Sequence, residues 1–350
     1  MSKTQKTAGE KPRIGEQEVR RAAELLKKYR QGKVNLERRI IDNEQFWKLR
    51  HWPQMEKTGE GGNPGDPQPT SGWLVNCILS KHADAMDCYP EPTVLPREPG
   101  DRAEAAKLTR ILPAILKKNQ FKRTYSSAWW YKLKSGCAVY GVFWDAGKLN
   151  GLGDVSIRRM DLLNLFWEPG VTDIQDSANF FSTELVSHEV LEEQYPQLKG
   201  KLGGGGFTVS RFLYDDQVDT SDKALVVDWY YHTREKGRRV LQYCKFVGET
   251  VLYATENDPE LRERGWYDHG KYPFVFDVLF PEEGTPCGYG YVDTAVWQSV
   301  RKYCPVQLHI SCFLSWSPAS CPKSFQLPLP VPERFLWKNP FVPKHCKFAG

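Results

Sequence analysis

Between residues 125 and 170 the chain reads YSSAWWYKLKSGCAVYGVFWDAGKLNGLGDVSIRRMDLLNLFWEPG, and no other stretch limits the possible folds as much. Residues 126–135 have the pattern of a helix carrying Trp129, Trp130 and Leu133. Gly136 follows, the stop signal that glycine supplies just past a helix end. Residues 137–144 are apolar and rich in β-formers, which predicts a largely buried strand. Gly147, Asn150, Gly151 and Gly153 then supply the backbone freedom of a turn. From Val155 the side chains alternate, with Val155, Ile157 and Arg159 on one side and Ser156, Arg158 and Met160 on the other, as in a second strand. A helix feeding a hairpin with this density of aromatics is a core. It holds no nucleophile–base pair and no metal-ligand spacing, so the chain is expected to be a structural part and not a catalyst.

The remaining sequence sets the frame around that core. At 350 residues there is room for one large domain or two ordinary ones. The 12 Trp suit both a large core and contacts between subunits. The net charge of +5 is unevenly placed: residues 1–50 hold 14 Lys and Arg against 7 Asp and Glu, which leaves the remainder near neutral or slightly acidic. That is not the footprint of a protein whose main surface grips a phosphate backbone. Nine Cys occur without a CxxC pair or a zinc-spaced Cys/His cluster, which fits free thiols in a reducing cytoplasm. The polar N-terminus lacks the apolar stretch of a signal peptide. No run approaches the about eighteen apolar residues of a membrane span, so no membrane partner is expected.

The expected class is α+β: N-terminal helices packed on mainly antiparallel β-structure, followed by an irregular Pro/Cys-rich C-terminal tail. Four parts are expected: a disordered basic arm over 1–15, a mainly helical part over 16–125, an α+β core over 126–295, and the tail over 296–350. In the helical part, Val19, Ala22, Leu26 and Tyr29 make one stripe, Gly32 is expected to break it, and Leu36, Ile40 and Trp47 make a second helix. Residues 57–72 form a Gly/Pro loop. A helix over 73–89, carrying Leu74, Ile78 and Met86, is stopped by Pro90 and Pro92, and an extended segment covers 91–99. The next helix, from Asp101, puts Ala105, Leu108, Leu112 and Ile115 on one side, with a kink or restart at Pro113. In the core, a strand over 178–186 leads to a short helix over 188–194, with Ser187 as its N-cap. Strands over 225–232, 240–247 and 250–255 and a further apolar strand over 272–280 suggest a meander. Residues 301–350 contain eight Pro, four Cys and one acidic residue, Glu333, with no sustained period. They read either as a Pro-rich tail or as the product of a change of reading frame near residues 297–301.

Motifs that could carry chemistry fail on inspection. The His188-Glu189-Val190-Leu191-Glu192 run lacks the second His of a zinc-protease helix, because Glu192 stands in its place; early acids at a helix N-terminus explain it better. Gly203 to Gly206 are not followed by the Lys and Ser/Thr of a phosphate cradle. Gly151-Leu152-Gly153 sits in a hairpin turn, not between a strand and a helix. Asp215, Asp216, Asp219 and Asp222 could hold metal ions for a nucleic-acid-processing enzyme, but turn and capping roles suit a short loop better. The basic residues of 1–50 could serve a DNA-binding accessory protein, or be a solvated face. No catalytic, cofactor-binding or metal-binding residue is nominated.

Several stretches carry a resemblance: LERRIIDNEQFWKLRHW (36–52), KHADAMDCYPEPTVLPRE (81–98), residues 128–144, NLFWEPGVTDIQ (164–175), YDDQVDTS (214–221) and FPEEGTPCGYGYVD (280–293). Together, from about residue 16 to about residue 295, the chain resembles the portal proteins of tailed bacteriophages. The resemblance implies a homo-oligomeric ring, usually dodecameric, at one capsid vertex of the virion, assembled in the bacterial host cytoplasm. Double-stranded DNA passes through its channel, driven by the terminase large subunit, and scaffold, capsid and head–tail adaptor proteins are its other partners. The family hydrolyses nothing itself. Gly288-Tyr289-Gly290-Tyr291-Val292-Asp293 is similar to the lead into the long stem helix. The Pro/Cys-rich tail follows where that helix should run, so an incomplete copy without stem, clip and crown is expected.

Overall fold

Two antiparallel sheets packed face to face, with helices on their outer faces, organise the chain in a computed structural model that describes residues 13–50, 72–200, 202 and 222–300. Helix α1 spans Glu16–Trp47, α2 Trp73–Asp87, α3 Arg102–Lys118 and α4 Phe121–Ser135. Strands β1 (Cys137–Asp145), β2 (Asp154–Met160), β3 (Leu165–Trp167) and β4 (Asn179–Ser187) follow, then helix α5 (His188–Gln194). Strands β5 (Lys223–Glu235), β6 (Arg238–Val247) and β7 (Thr250–Ala254), helix α6 (Pro259–Arg264), strand β8 (Phe274–Val278) and helix α7 (Tyr291–Val300) complete the α-helices and strands of the described residues. The class is α+β. The smaller sheet has the order β2-β1-β8 and the larger one β3-β4-β5-β6-β7.

Side-chain alternation along the strands builds the layers. Cys137 and Val139 of β1 and Phe274 of β8 point into the space between the sheets, where they meet Phe180, Tyr230, Leu241 and Tyr243 of the larger sheet. Phe180 is fully buried. Its ring stacks on Phe274 at 4.5 Å, and Tyr230 meets the same ring edge-on at 5.4 Å. The alternate residues of the larger sheet, Phe166, Phe181, Trp229, Tyr231, Cys244 and Phe246, face the other way and are covered by Val19, Ala22, Leu26 and Tyr29 of α1. On the outer face of the smaller sheet, Ala138 and Tyr140 lie under Ala128 and Phe121 of α4.

One buried cation fixes α1 to this scaffold. Lys33 donates to the carbonyls of Leu162 (2.5 Å) and Leu165 (2.7 Å) and lies 4.6 Å from the centre of the Phe166 ring. Its helix neighbour Glu37 is also buried, with 3.9 Å between ammonium and carboxylate. Burial lowers the Lys33 pKa to about 8, and the Glu37 charge opposes that shift without cancelling it.

Four expectations need correction. Helix α1 is unbroken through Gly32. An interior glycine costs about 1 kcal/mol of helix propensity, but here the missing side chain admits Pro169, whose Cγ would lie 2.6 Å from a Cβ at position 32. Packing of the whole helix against the larger sheet outweighs the local preference. Helix α3 is continuous through Pro113, so of the kink or restart expected there the restart does not occur, and its inward side carries the buried Ala105 while Leu108 is 47% exposed. Helix α4 begins at Phe121, five residues ahead of the expected start. Strand β8 leaves the meander and pairs with β1, Gly141 opposite Phe274 and Cys137 opposite Val278, because its aromatic side chains complete the layer between the sheets.

The hairpin of β1 and β2, the strands β4 to β7 and the short helix α5 stand as expected, within a residue or two except where β5 extends to Glu235. The β5–β6 turn is tight, with Lys236 and Gly237 both at positive φ (49° and 81°), the backbone twist that two-residue hairpin loops require. The expectations for residues 1–12, 51–71, 203–221 and 301–350 lie outside the described residues.

Candidate functional site: a polar clamp at the root of the last helix

Four helices meet where α7 leaves the core. Phe46 of α1, Ile78 of α2, Leu133 of α4 and Val292 of α7 are buried together, with Trp47, Leu74, Trp129, Trp130, Leu279 and Tyr291 packed around them. Beside this apolar knot stands a set of polar groups that the helical stripes do not announce.

Asp293, in the first turn of α7, is its centre. One carboxylate oxygen accepts from the backbone amide of Gly290 at 2.7 Å, which satisfies a free amide at the helix start. The other accepts from Asn43 Nδ2 at 2.8 Å. The same Asn43 amide donates to the Lys134 carbonyl at 3.1 Å, in the last turn of α4. Arg39 lies 3.7 Å from Asp293, donates to the Gly288 carbonyl at 2.8 Å and reaches Glu282 at 3.3 Å. Glu44 and Lys134 form a further ion pair between α1 and α4, both side chains largely shielded from water. Three elements are therefore joined by charged groups that are more than half removed from solvent, where such bonds are strong and costly to break.

The backbones also approach closely. Gly136, just past α4, has φ of 84°, and a Cβ there would fall 2.3 Å from the Tyr289 carbonyl carbon. A Cβ on Gly290 would fall 2.6 Å from the Leu133 carbonyl oxygen. Leu279 donates its amide to the Gly136 carbonyl at 2.8 Å, and Tyr289 donates to Phe280 at 3.0 Å, which closes the loop over 280–289.

This arrangement orients a helix; it does not activate a nucleophile. The buried thiols are inert by the same token. The hydrogen bond with Cys287, then burial, holds Cys137 well above the ordinary thiol range, and burial pushes Cys244 up to about 12. Among the described residues, no three His, Cys, Asp or Glu side chains converge as a metal site would need. His188 opens α5, where its amide donates to the Asp222 carbonyl at 2.9 Å. Asp215, Asp216 and Asp219 lie outside the described residues. No described helix is long and apolar enough to cross a membrane.

Sequence reasoning stopped short of Arg39, Asn43 and Asp293 as a set. The available signal was the placing of Asn43 and Glu44 on the otherwise apolar side of α1, both buried. Asp293→Ala removes the bonds to Asn43 and Gly290 together. Each bond to a charged group is worth about 1.5–3 kcal/mol, so a loss of about 3 kcal/mol is expected in denaturant unfolding. Asp293→Asn keeps one acceptor and the shape, so about half that loss is expected.

Comparison with known proteins agrees with this picture of a structural part. No curated protein matches the chain. A family described as phage P22-like portal protein matches residues 86–275, more than half of the chain and most of the two-sheet core, although Arg39, Asn43 and Asp293 lie outside that span. With this match over more than half of its length, the chain belongs to the P22-like phage portal protein family.

Proposed function

We propose that this chain supplies the wing of a portal subunit, the part of a head–tail connector that surrounds the channel at a capsid vertex, and that the polar clamp sets the angle at which the stem helix leaves the wing. The observation that carries this reading is the seating of α7: Asp293, Asn43, Arg39 and the close backbone contacts of Gly136 and Gly290 hold its first turn against α1 and α4. A helix that only closed a domain would not need its first turn fixed by a buried carboxylate bonded to α1 and by close backbone contact with α4. In a ring, a small error in that angle would be repeated in every subunit.

On this reading the chain works as a homo-oligomer, with terminase, scaffold or capsid and adaptor proteins as partners and double-stranded DNA as cargo. The Pro/Cys-rich sequence after about residue 300 lacks the polar helical pattern expected of a stem. The 350-residue chain is therefore expected to give monomers and irregular oligomers, not closed rings, by native mass spectrometry and negative-stain microscopy. A homogeneous ring would overturn that expectation. A strict monomer at every concentration would count against the ring-subunit reading itself.

A further inference from the structure

From Ala105 to Trp144 the chain contains no Asp or Glu at all, and eight Lys and Arg. Three of these are neutralised in the fold. Lys118 pairs with Asp154 at 2.6 Å, Lys132 with Asp277 at 2.6 Å, and Lys134 with Glu44. The other five, Lys107, Arg110, Lys117, Lys122 and Arg123, are exposed and pair with no described residue. They are not scattered. At 100° per residue, Lys107, Arg110 and Lys117 share the outward side of α3, and the row from Lys107 to Lys117 is about 15 Å long at about 1.5 Å per residue. Lys122 and Arg123 follow in the first turn of α4, where they line an open hollow of about 560 Å³ with Met86, Gln120 and Ser126.

We infer that the outward face of α3 and the α3–α4 corner form a contact surface for the phosphate backbone of double-stranded DNA, separate from any channel. The row matches the axial length of about four nucleotides of one duplex strand, at about 3.4 Å each. Between the cations that side of the helix carries only Ala103, Ala106 and Ala114. The middle of the row lacks the large apolar or aromatic anchor on which a protein contact depends; the exposed Ile111 and Leu108 lie about 90° and about 145° from it around the helix. Long cations with no fixed partner among the described residues suit a charge-dominated contact without sequence choice. The surface needs no ring, so its test is independent of the assembly reading above.

The test is fluorescence anisotropy of a labelled mixed-sequence duplex with the full 350-residue chain across a salt series. Binding that weakens with salt is expected. Replacing Lys107, Arg110, Lys117, Lys122 and Arg123 together by Ala should weaken it at least about tenfold at low salt and lower the salt slope by about 0.9 for each phosphate that is no longer neutralised. The comparison variant replaces Arg21, Lys27, Lys28 and Arg38, four exposed cations of α1, by Ala, and should stay within about threefold of the parent. Both variants must keep the parent's circular dichroism and unfolding midpoint. Absence of salt-dependent duplex binding overturns the inference. Equal losses in the two variants overturn it in favour of non-local net charge. Capture of poly-glutamate without capture of the duplex overturns it in favour of an acidic protein partner.

Discussion

Gly136→Ala is expected to destabilise the protein by about 4 kcal/mol or more, a size reserved for a few named causes. Two of those causes coincide at this residue. Its φ of 84° costs an L-residue about 1–2 kcal/mol. The added Cβ would also lie 2.3, 2.4 and 2.6 Å from the carbonyl carbon, Cα and nitrogen of Tyr289. Those are backbone atoms of a segment tied down on either side by the Tyr289–Phe280 and Gly290–Asp293 bonds, so no side chain can swing aside. Relief requires α4 and the 288–290 segment to part, which breaks the 2.8 Å bond from Leu279 to Gly136 and pulls Lys134 away from Asn43. Gly151→Ala is the internal control. Gly151 has a similar φ of 94° but open space where the Cβ would go, so only the conformational cost of about 1–2 kcal/mol is expected. Urea unfolding of both variants, with hydrogen exchange at the Gly290 amide, separates the effects. Near-equal losses would show that the close approach of Gly136 to Tyr289 does not exist in solution.

The same residues show what local sequence could and could not convey. Gly136 was legible as a helix stop because that role needs only its own backbone. Its second role, admitting Tyr289, depends on a partner over 150 residues away, which no local pattern encodes. Gly32 gives the converse case: its propensity points to a break, while the native reason for a glycine is the Pro169 ring against α1. The strands were legible where alternation and turn residues agree, as in β1 and β2. Strand β8 was legible as a strand but not as the neighbour of β1, since the apolar run 272–280 fits either sheet and only the stacking of Phe274 on Phe180 decides. The clamp was hidden for a related reason. Asn43 and Asp293 are unremarkable one at a time, and their 2.8 Å bond spans 250 positions. The basic face of α3 was present in the sequence as an acid-free run, but the near-zero charge of residues beyond 50 averaged it away.

Lys33 shows how an interior charge can hold a long helix in register, and it yields the other large expected effect. Lys33→Met should cost about 3–5 kcal/mol, the usual result of removing one member of a buried ion pair. It removes the charged donor from the carbonyls of Leu162 and Leu165 and the ammonium that lies 3.9 Å from the buried Glu37 carboxylate. Lys33→Met with Glu37→Met should recover much of that loss, because an apolar pair of similar volume often replaces a buried salt bridge at little cost. The double-mutant cycle is therefore expected to show a coupling of at least about 2 kcal/mol. A pH arm distinguishes the charge from simple packing. The native pKa of about 8 lies below the 10.5 of a free lysine. Above pH 8 the unfolded chain still holds a proton that native Lys33 has released, so this residue's contribution to stability rises with pH until about 10.5. Buried thiols and phenols act in the opposite direction: Cys244, raised to about 12, contributes stability that is lost as pH climbs above its unfolded value near 9. The difference between parent and Lys33→Met cancels those shared terms. It should widen between pH 8 and 10 in favour of the parent, and a difference that stays flat over that interval would mean that Lys33 remains charged and solvated, contrary to its position under the Phe166 ring.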